Sequence, residues 1–287
     1  MTIEAKNVTI GVLALQGAFA EHVEHLKQAA LTLQKHSMGE NGSIRGASIR
    51  VIEVRTAEEL SICEGLVIPG GESTAISLVA ERTGMLEPLR AYVHELVHQG
   101  QPGEERVLSQ GRAVWGTCAG LILVASEAGG CPARGQEILG GLDVKVSRNH
   151  FGSQLDSFIA PLEMPILKEL GSENGAPFEG VFIRAPVVDA VNISTAKPTL
   201  FGLGEKKKAI ERDIEKSLVV QAPNPSAEWV EFVANNPVEV LTTLERAGGE
   251  LCVAVRQGRT LGTSFHPELT SDSRLHQWWI QKCVLQA

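Results

Sequence analysis

Three short stretches of this chain put reactive groups where a turn would expose them. In Val114-Trp115-Gly116-Thr117-Cys118-Ala119-Gly120-Leu121-Ile122 an apolar strand-like run meets an apolar helix-like run through Gly-x-Cys-x-Gly. Glycines two before and two after a nucleophile permit the sharp strand-to-helix turn of a nucleophile elbow, which exposes the side chain and sets a thiolate at a helix N-terminus. A lone cysteine among glycines can equally be a small packing residue, and this segment alone leaves both readings open. In Gly262-Thr263-Ser264-Phe265-His266-Pro267-Glu268-Leu269, His266 and Glu268 flank a proline at the end of an apolar strand. Residues two apart in an extended segment share a side and Pro267 restricts the link between them, so Glu268 is expected to orient the imidazole from behind. The third stretch, Leu66-Val67-Ile68-Pro69-Gly70-Gly71-Glu72-Ser73-Thr74, is a strand ending in a glycine-rich turn before a helix. Such a turn can aim backbone N–H groups at an anion.

A nucleophile needs a base, and the base needs an orienting acid; Cys118, His266 and Glu268 supply the three. The Gly71 N–H, acting with that of Ala119, fits an oxyanion hole, although a glycine-rich turn can also be only a turn. A phosphate loop is excluded, because the Lys and Ser/Thr that follow the glycines of the Walker pattern are missing. The histidines at 22, 25, 36, 94, 98, 150 and 276 read as core or surface residues. His94 and His98 have the spacing of metal ligands on one helix face, but no third ligand accompanies them, so no metal is expected.

These turns need strands and helices to hold them. Val8 to Leu15 is a short apolar run ending at Gln16-Gly17, after which Phe19, Val23, Leu26 and Ala30 recur at helical spacing. The alternation returns at Ile49 to Val54, at Gly65 to Ile68 leading into Ala75 to Ala80, and at Ala113 to Trp115 leading into Leu121 to Ala125. Repeated strand-then-helix units predict an α/β fold, a parallel sheet with helices on both faces. After about residue 140 the strands shorten (Leu142 to Val146, Val181 to Ile183, Leu251 to Val255, Thr260 to Phe265) and are expected to be mixed or antiparallel. One domain is expected over 1–287, with surface insertions near 35–48, 100–111 and 195–239; the last holds a charged helical piece, Glu205 to Lys216, and Ala222-Pro223-Asn224-Pro225. None of the three reads as core.

Bulk properties narrow the setting. Hydrophobic residues make up 43% and charged residues 21%, enough apolar surface for a real core. The net charge of −8 and the lack of a basic stripe with interleaved aromatics argue against nucleic acid, and Lys206-Lys207-Lys208 reads as a solvated face. Five cysteines without a Cys-x-x-Cys pair suggest no disulfide framework and a reducing compartment. No signal-like N-terminus and no span long enough for a bilayer are seen, so a cytoplasmic location and no membrane partner are expected.

Taken in order, the Pro-Gly-Gly turn, the Gly-Thr-Cys-Ala-Gly elbow and the C-terminal His-Pro-Glu resemble the class I glutamine amidotransferases. Four stretches, 15–22, 69–74, Val181-Phe182-Ile183-Arg184-Ala185-Pro186 and 264–270, resemble the glutaminase subunits of pyridoxal 5'-phosphate synthase. The resemblance spans most of residues 8–190 and 250–285 and leaves the insertions outside it. It implies a flavodoxin-like three-layer sandwich with a mostly parallel central sheet, no cofactor, and L-glutamine as substrate. It further implies that Cys118 attacks the side-chain amide, His266 protonates the departing ammonia and Glu268 holds His266. Gly71, Glu72, Ser73, Arg148, Ile183 and Arg184 would line the glutamine site, where a guanidinium suits the α-carboxylate; a surface ion pair is the other reading of the two arginines. The implied partner is a (β/α)8-barrel synthase subunit that receives the ammonia. Glycine's conformational freedom makes the Gly70-Gly71 turn a candidate switch answering to that partner.

Rival readings fit less well. An α/β-hydrolase places its acid before the histidine, whereas Glu268 follows His266. The related chaperone and peptidase family has His directly after the nucleophilic Cys, where this chain has Ala119. A dinucleotide site lacks Gly-x-Gly-x-x-Gly after the first strand. A catalytically silent subunit is opposed by the intact triad. The glutaminase of another ammonia-channelling synthase, such as imidazole glycerol phosphate synthase, is opposed by the Gly-Glu-Ser-Thr and Phe-Ile-Arg-Ala-Pro stretches.

Overall fold

Strand–helix alternation builds the N-terminal half. In the computed structural model, which describes residues 7–37, 48–99, 107–131, 136–148, 157–170, 176–203, 219–246 and 249–287, β1 (Asn7–Leu13) leads to α1 (Phe19–Ser37) and β2 (Ser48–Val54) to α2 (Ala57–Ser61). β3 (Gly65–Ile68) then leads to α3 (Ser73–Arg82) and α4 (Leu86–Val93). After an antiparallel pair, β4 (Leu96–Gln99) and β5 (Val107–Gln110), β6 (Ala113–Thr117) leads to α5 (Ala119–Val124). Shorter strands follow: β7 (Ala125–Gly129), β8 (Leu142–Ser147), β9 (Ser157–Leu162), β10 (Phe178–Ile183), β11 (Val187–Val191), β12 (Thr199–Leu200), β13 (Gly202–Leu203) and β14 (Val219–Gln221). The chain closes with α6 (Ala227–Asn235), β15 (Glu239–Arg246), β16 (Gly249–Gln257), β17 (Thr260–Thr263) and α7 (Arg274–Trp279).

β2, β1, β3, β6 and β17 lie side by side in that order and run parallel. Past β17 the pairing turns antiparallel through β16 and β11 to β8, as the short strands of the second half predict. Successive residues of a strand face opposite sides, and both sides are covered. Val8, Ile10, Val67 and Trp115 pack with Leu26 of α1 and Trp278 and Trp279 of α7. Leu66, Ile68 and Val114 pack with Ile76 of α3, Leu89 of α4 and Leu121 of α5. The three-layer α/β arrangement with helices on both faces is therefore as expected.

Of the stretches expected as insertions, residues 38–47, 100–106 and 204–218 lie outside the described residues, and Glu205 to Lys216 with them. What is described of 195–239 does not all stay out of the core. Ser226 caps α6 by accepting from the Trp229 N–H at 3.1 Å, Trp229 packs on His94 with ring centroids 4.4 Å apart, and Phe232 is 1% exposed. Trp229 and Phe232 are three apart and so share a helix face, a signal masked in the sequence by its Pro/Asn-rich flank. His94 and His98 do not share a helix face, because α4 ends at Val93 and His98 lies in β4; His94 Nε2 lies 2.9 Å from the Leu139 carbonyl. All five cysteines are buried and free. Among the described residues no helix is long and apolar enough to cross a membrane.

Candidate active site

β3, β6 and β17 are adjacent, and each delivers its motif from its C-terminal end. That edge is where open α/β sheets bind ligands. Thr117 sits beside Thr263 and Gly116 beside Ile68. The three motifs therefore leave the sheet at one level although they are spread over some two hundred residues of sequence.

Cys118 has φ 48° and ψ −104°, a region that costs a non-glycine residue about 1–3 kcal/mol. Its N–H donates to the Thr263 carbonyl at 2.8 Å, which ties the elbow to β17. The flanking glycines have a steric cause. A Cβ on Gly120 would lie 2.0 Å from the Ile68 carbonyl oxygen, and one on Gly116 would lie 2.5 Å from that of Gly120. The start of α5 is thus pressed onto β3 and β6 with no room for a methyl group.

The His266 N–H donates to the Val181 carbonyl at 2.8 Å, and Nδ1 lies 2.7 Å from Glu268 Oε1. The two side chains do not meet across an extended segment, as the sequence suggested. Pro267 opens a 3-10 turn, Pro267–Leu269, and the contact closes over its first residue; proline's fixed φ suits the first position of such a turn. Burial disfavours a charged His266, but hydrogen bonds with Cys118 and Glu268 outweigh it and raise its pKa above the ordinary imidazole range. Burial likewise disfavours an ionised Glu268, yet His22 and His266 hold its carboxyl well below the usual carboxylate range. The arrangement sets an imidazole between a carboxylate behind it and the cysteine sulfur in front, and contacts with both favour its protonated form.

The Gly70 carbonyl accepts from the Ala18 N–H at 3.0 Å, so the Gly71 N–H, anti to it across the peptide, is turned away from Ala18. The turn also lies hard against the imidazole: a Cβ on Gly70 would come within 2.4 Å of His266 Cε1. Beside it opens a cleft of about 400 Å³, lined by Gln16, Gly71, Glu72, Ser73, Cys118, Ala119, Ile122, Arg148, Ile183, Arg184 and His266. This size suits a small-molecule site. Every site residue expected from sequence is in that lining except Glu268, which sits behind His266.

Individual positions carry more than the expected roles. Glu72 caps α3, accepting from the Thr74 N–H at 3.1 Å and the Ala75 N–H at 2.6 Å, and its Oε1 lies 3.1 Å from Arg148 Nη2. Arg148 Nη1 donates to Gln136 Oε1 at 3.2 Å and to Thr74 Oγ1 at 3.3 Å. Arg148 is thus both an ion-pair partner and a wall of the cleft. Ser73 Oγ donates to the same Gln136 oxygen at 3.1 Å. Arg184 is held at φ 47°, and the Ile183 carbonyl faces Cys118 Sγ at 3.9 Å.

A sequence profile of the SNO glutamine amidotransferase family matches residues 12–203 and 202–285. The chain belongs to that family. This amidotransferase is 34% identical to a probable pyridoxal 5'-phosphate synthase subunit of Arabidopsis thaliana, over 96% of its own length and 85% of the plant protein. It is 39% identical to a pyridoxal 5'-phosphate synthase subunit of Streptomyces avermitilis, over 93% and 90% of the two chains. A crystal structure of a glutamine amidotransferase superposes with a TM-score of 0.57 at 35% identity, covering 94% of this chain and 96% of that one.

Two polar residues at the site of the amidotransferase had no role assigned from the sequence. Gln16 lines the cleft and its Oε1 accepts from the Glu72 N–H at 2.9 Å; it lies inside the 15–22 stretch, which was the available signal. Gln136 gathers Ser73, Thr74 and Arg148 on one oxygen and has no local pattern to mark it. A second cleft, of about 250 Å³, beside α6 and lined among others by His94, Asp143 and Trp229, contains none of the candidate residues.

Proposed function

We propose that this amidotransferase is the glutaminase subunit of a pyridoxal 5'-phosphate synthase, cytoplasmic and built as one domain, acting through Cys118, His266 and Glu268. The observation that carries the reading is the strained Cys118 at the end of β6, sharing one cleft with His266, whose Nδ1 lies 2.7 Å from Glu268 behind it. The names of the relatives support the choice of synthase.

In this reading L-glutamine enters with its side-chain amide over Cys118. The thiolate adds to the amide carbon, and the developing oxyanion is received by the N–H groups of Gly71 and Ala119. His266 gives its proton to the nitrogen, ammonia leaves, and a γ-glutamyl thioester remains on Cys118. Water, deprotonated by His266, then cleaves the thioester to glutamate and the free thiol. Glu268 keeps the imidazole in one orientation and stabilises its charge in both steps. Ammonia passes to a (β/α)8-barrel synthase subunit, and the Gly70-Gly71 peptide is the element that would answer to docking, exchanging the Ala18 bond for a new orientation of the Gly71 N–H.

Arg148, with Glu72, Ser73, Ile183 and Arg184, would hold the amino-acid end of glutamine. Loss of one charge-assisted contact is worth about 1.5–3 kcal/mol, so Arg148→Met is expected to raise KM for glutamine about 10- to 100-fold with a smaller fall in kcat. An unchanged KM in steady-state assays would remove Arg148 from the substrate site.

The deciding test is glutamate release by wild type and Cys118→Ala, each with and without a pyridoxal 5'-phosphate synthase barrel subunit. Hydrolysis that rises with the barrel and is lost in the variant is expected. Hydrolysis that needs Cys118 but ignores the barrel would keep the glutaminase and discard this partner and the Gly70-Gly71 switch.

A further inference from the structure

Behind the triad a row of imidazoles runs inward. Glu268 turns Oε1 to His266, while its other oxygen, Oε2, is buried 3.3 Å from His22 Nε2. His22, on α1, is fully buried, and the same nitrogen lies 3.1 Å from Thr117 Oγ1. This nitrogen thus faces both the hydroxyl and the carboxylate, and its approach to Oε2 is a close polar contact rather than an aligned hydrogen bond. On the far side of the ring, His22 Nδ1 lies 3.2 Å from Nε2 of His276 on α7. His25 stacks on His276 with centroids 4.9 Å apart, and Trp115 meets its ring edge-on at 4.8 Å.

Tautomers follow from these contacts. A lone pair on His22 Nε2 would face a carboxylate oxygen, so this nitrogen carries the proton. In the neutral ring Nδ1 is then an acceptor and takes the Nε2 proton of His276. Burial keeps His276 neutral by pushing its pKa far down, and a positive charge on His22 or His25 would push it the same way. That leaves His276 Nδ1 as a bare lone pair, in keeping with its having no partner.

We propose that His22 is a positioning residue of the triad: it holds the rear oxygen of Glu268 with an N–H whose placement His276 fixes, so that Glu268 stays an anion aimed at His266. The proposal rests on the triad reading above. A carboxylate that is 3% exposed needs donors on both oxygens to remain charged. Without the second donor the anion weakens, the His266 imidazolium loses its support, and the Cys118 thiolate loses its counter-ion. The charged and titratable groups facing His22 are Glu268, from the turn after β17, and His276; His25 lies next to it on α1, and beyond His25 are Glu24 and Asp272.

The test is the rate of Cys118 alkylation by iodoacetamide against pH, in the full-length protein without glutamine or partner. The wild-type pH midpoint is the reference for the variants. His22→Leu is expected to raise that midpoint by about one unit, a tenfold slower reaction on the acid side, and to lower kcat for glutamine without a matching change in KM. His22→Gln, which restores a donor near the Nε2 position, is expected to return the midpoint towards wild type. A merely structural His22 would lower the reactive fraction without moving the midpoint. A folded Leu variant with the wild-type midpoint overturns the proposal; if that variant does not fold by circular dichroism, equal midpoints for His22→Gln and His22→Asn do so, because asparagine falls short of the carboxylate. Glutamine hydrolysis that survives in Cys118→Ala would overturn the triad reading itself.

Discussion

Replacing Cys118 with alanine or with glycine is expected to reduce glutamine hydrolysis by at least about 10⁴-fold, and to leave the glycine variant as stable as the alanine variant or more so. The first half follows from the role proposed for the thiol, since neither replacement offers a nucleophile and water alone must then attack an amide. The second half follows from the backbone. At an ordinary position glycine is less stable than alanine by about 0.5–1 kcal/mol, through the entropy of the unfolded chain. At φ 48° and ψ −104° alanine keeps the Cβ that makes this conformation costly, by about 1–3 kcal/mol, and glycine does not. The usual order should therefore vanish or reverse. Urea unfolding of the two variants measures it, and a glycine variant weaker than the alanine variant by a full kcal/mol would mean that the elbow stores no strain.

The sequence made the strand–turn–helix units legible, because each carries its signal within about ten residues: an apolar run, a glycine turn, a renewed apolar period. The pairing of β17 with β6 brings His266 to Cys118, and there the motif order was the guide, since nothing local in Thr260 to Thr263 names its neighbour. What stayed hidden acts across long separations. Gln136 meets Ser73 and Arg148, and His22 meets Glu268 and His276, through contacts set by packing that leave no periodicity behind. His22 and His276 were read as ordinary core or surface residues, and only the buried approach of the one to the Glu268 carboxylate marks them out. The 3-10 turn at Pro267 was misread as extended for a related reason. A proline restricts its own φ but does not decide whether the chain continues as strand or closes as a turn.

Gly120→Ala is expected to cost about 3 kcal/mol in stability and to remove most of the activity along with it, although Gly120 contributes no side chain to the chemistry. The added Cβ would fall 2.0 Å from the Ile68 carbonyl oxygen and 2.8 Å from its carbon. Both are backbone atoms at the end of a buried central strand, which cannot swing aside as a long side chain can. Relief requires α5 to lift from β3, and that motion carries Cys118 at its N-terminus. Alternatively the end of β3 shifts, and with it the Pro69-Gly70-Gly71 turn that lies against His266. Either displacement changes the distance from Cys118 to His266, and misplacement of about 1 Å can cost on the order of 10²-fold in rate. The unfolding midpoint and kcat should therefore fall together in Gly120→Ala, whereas Cys118→Ala should lose kcat with little change in midpoint. An alanine variant within 1 kcal/mol of wild type that keeps its rate would show that α5 does not need its close seat on β3.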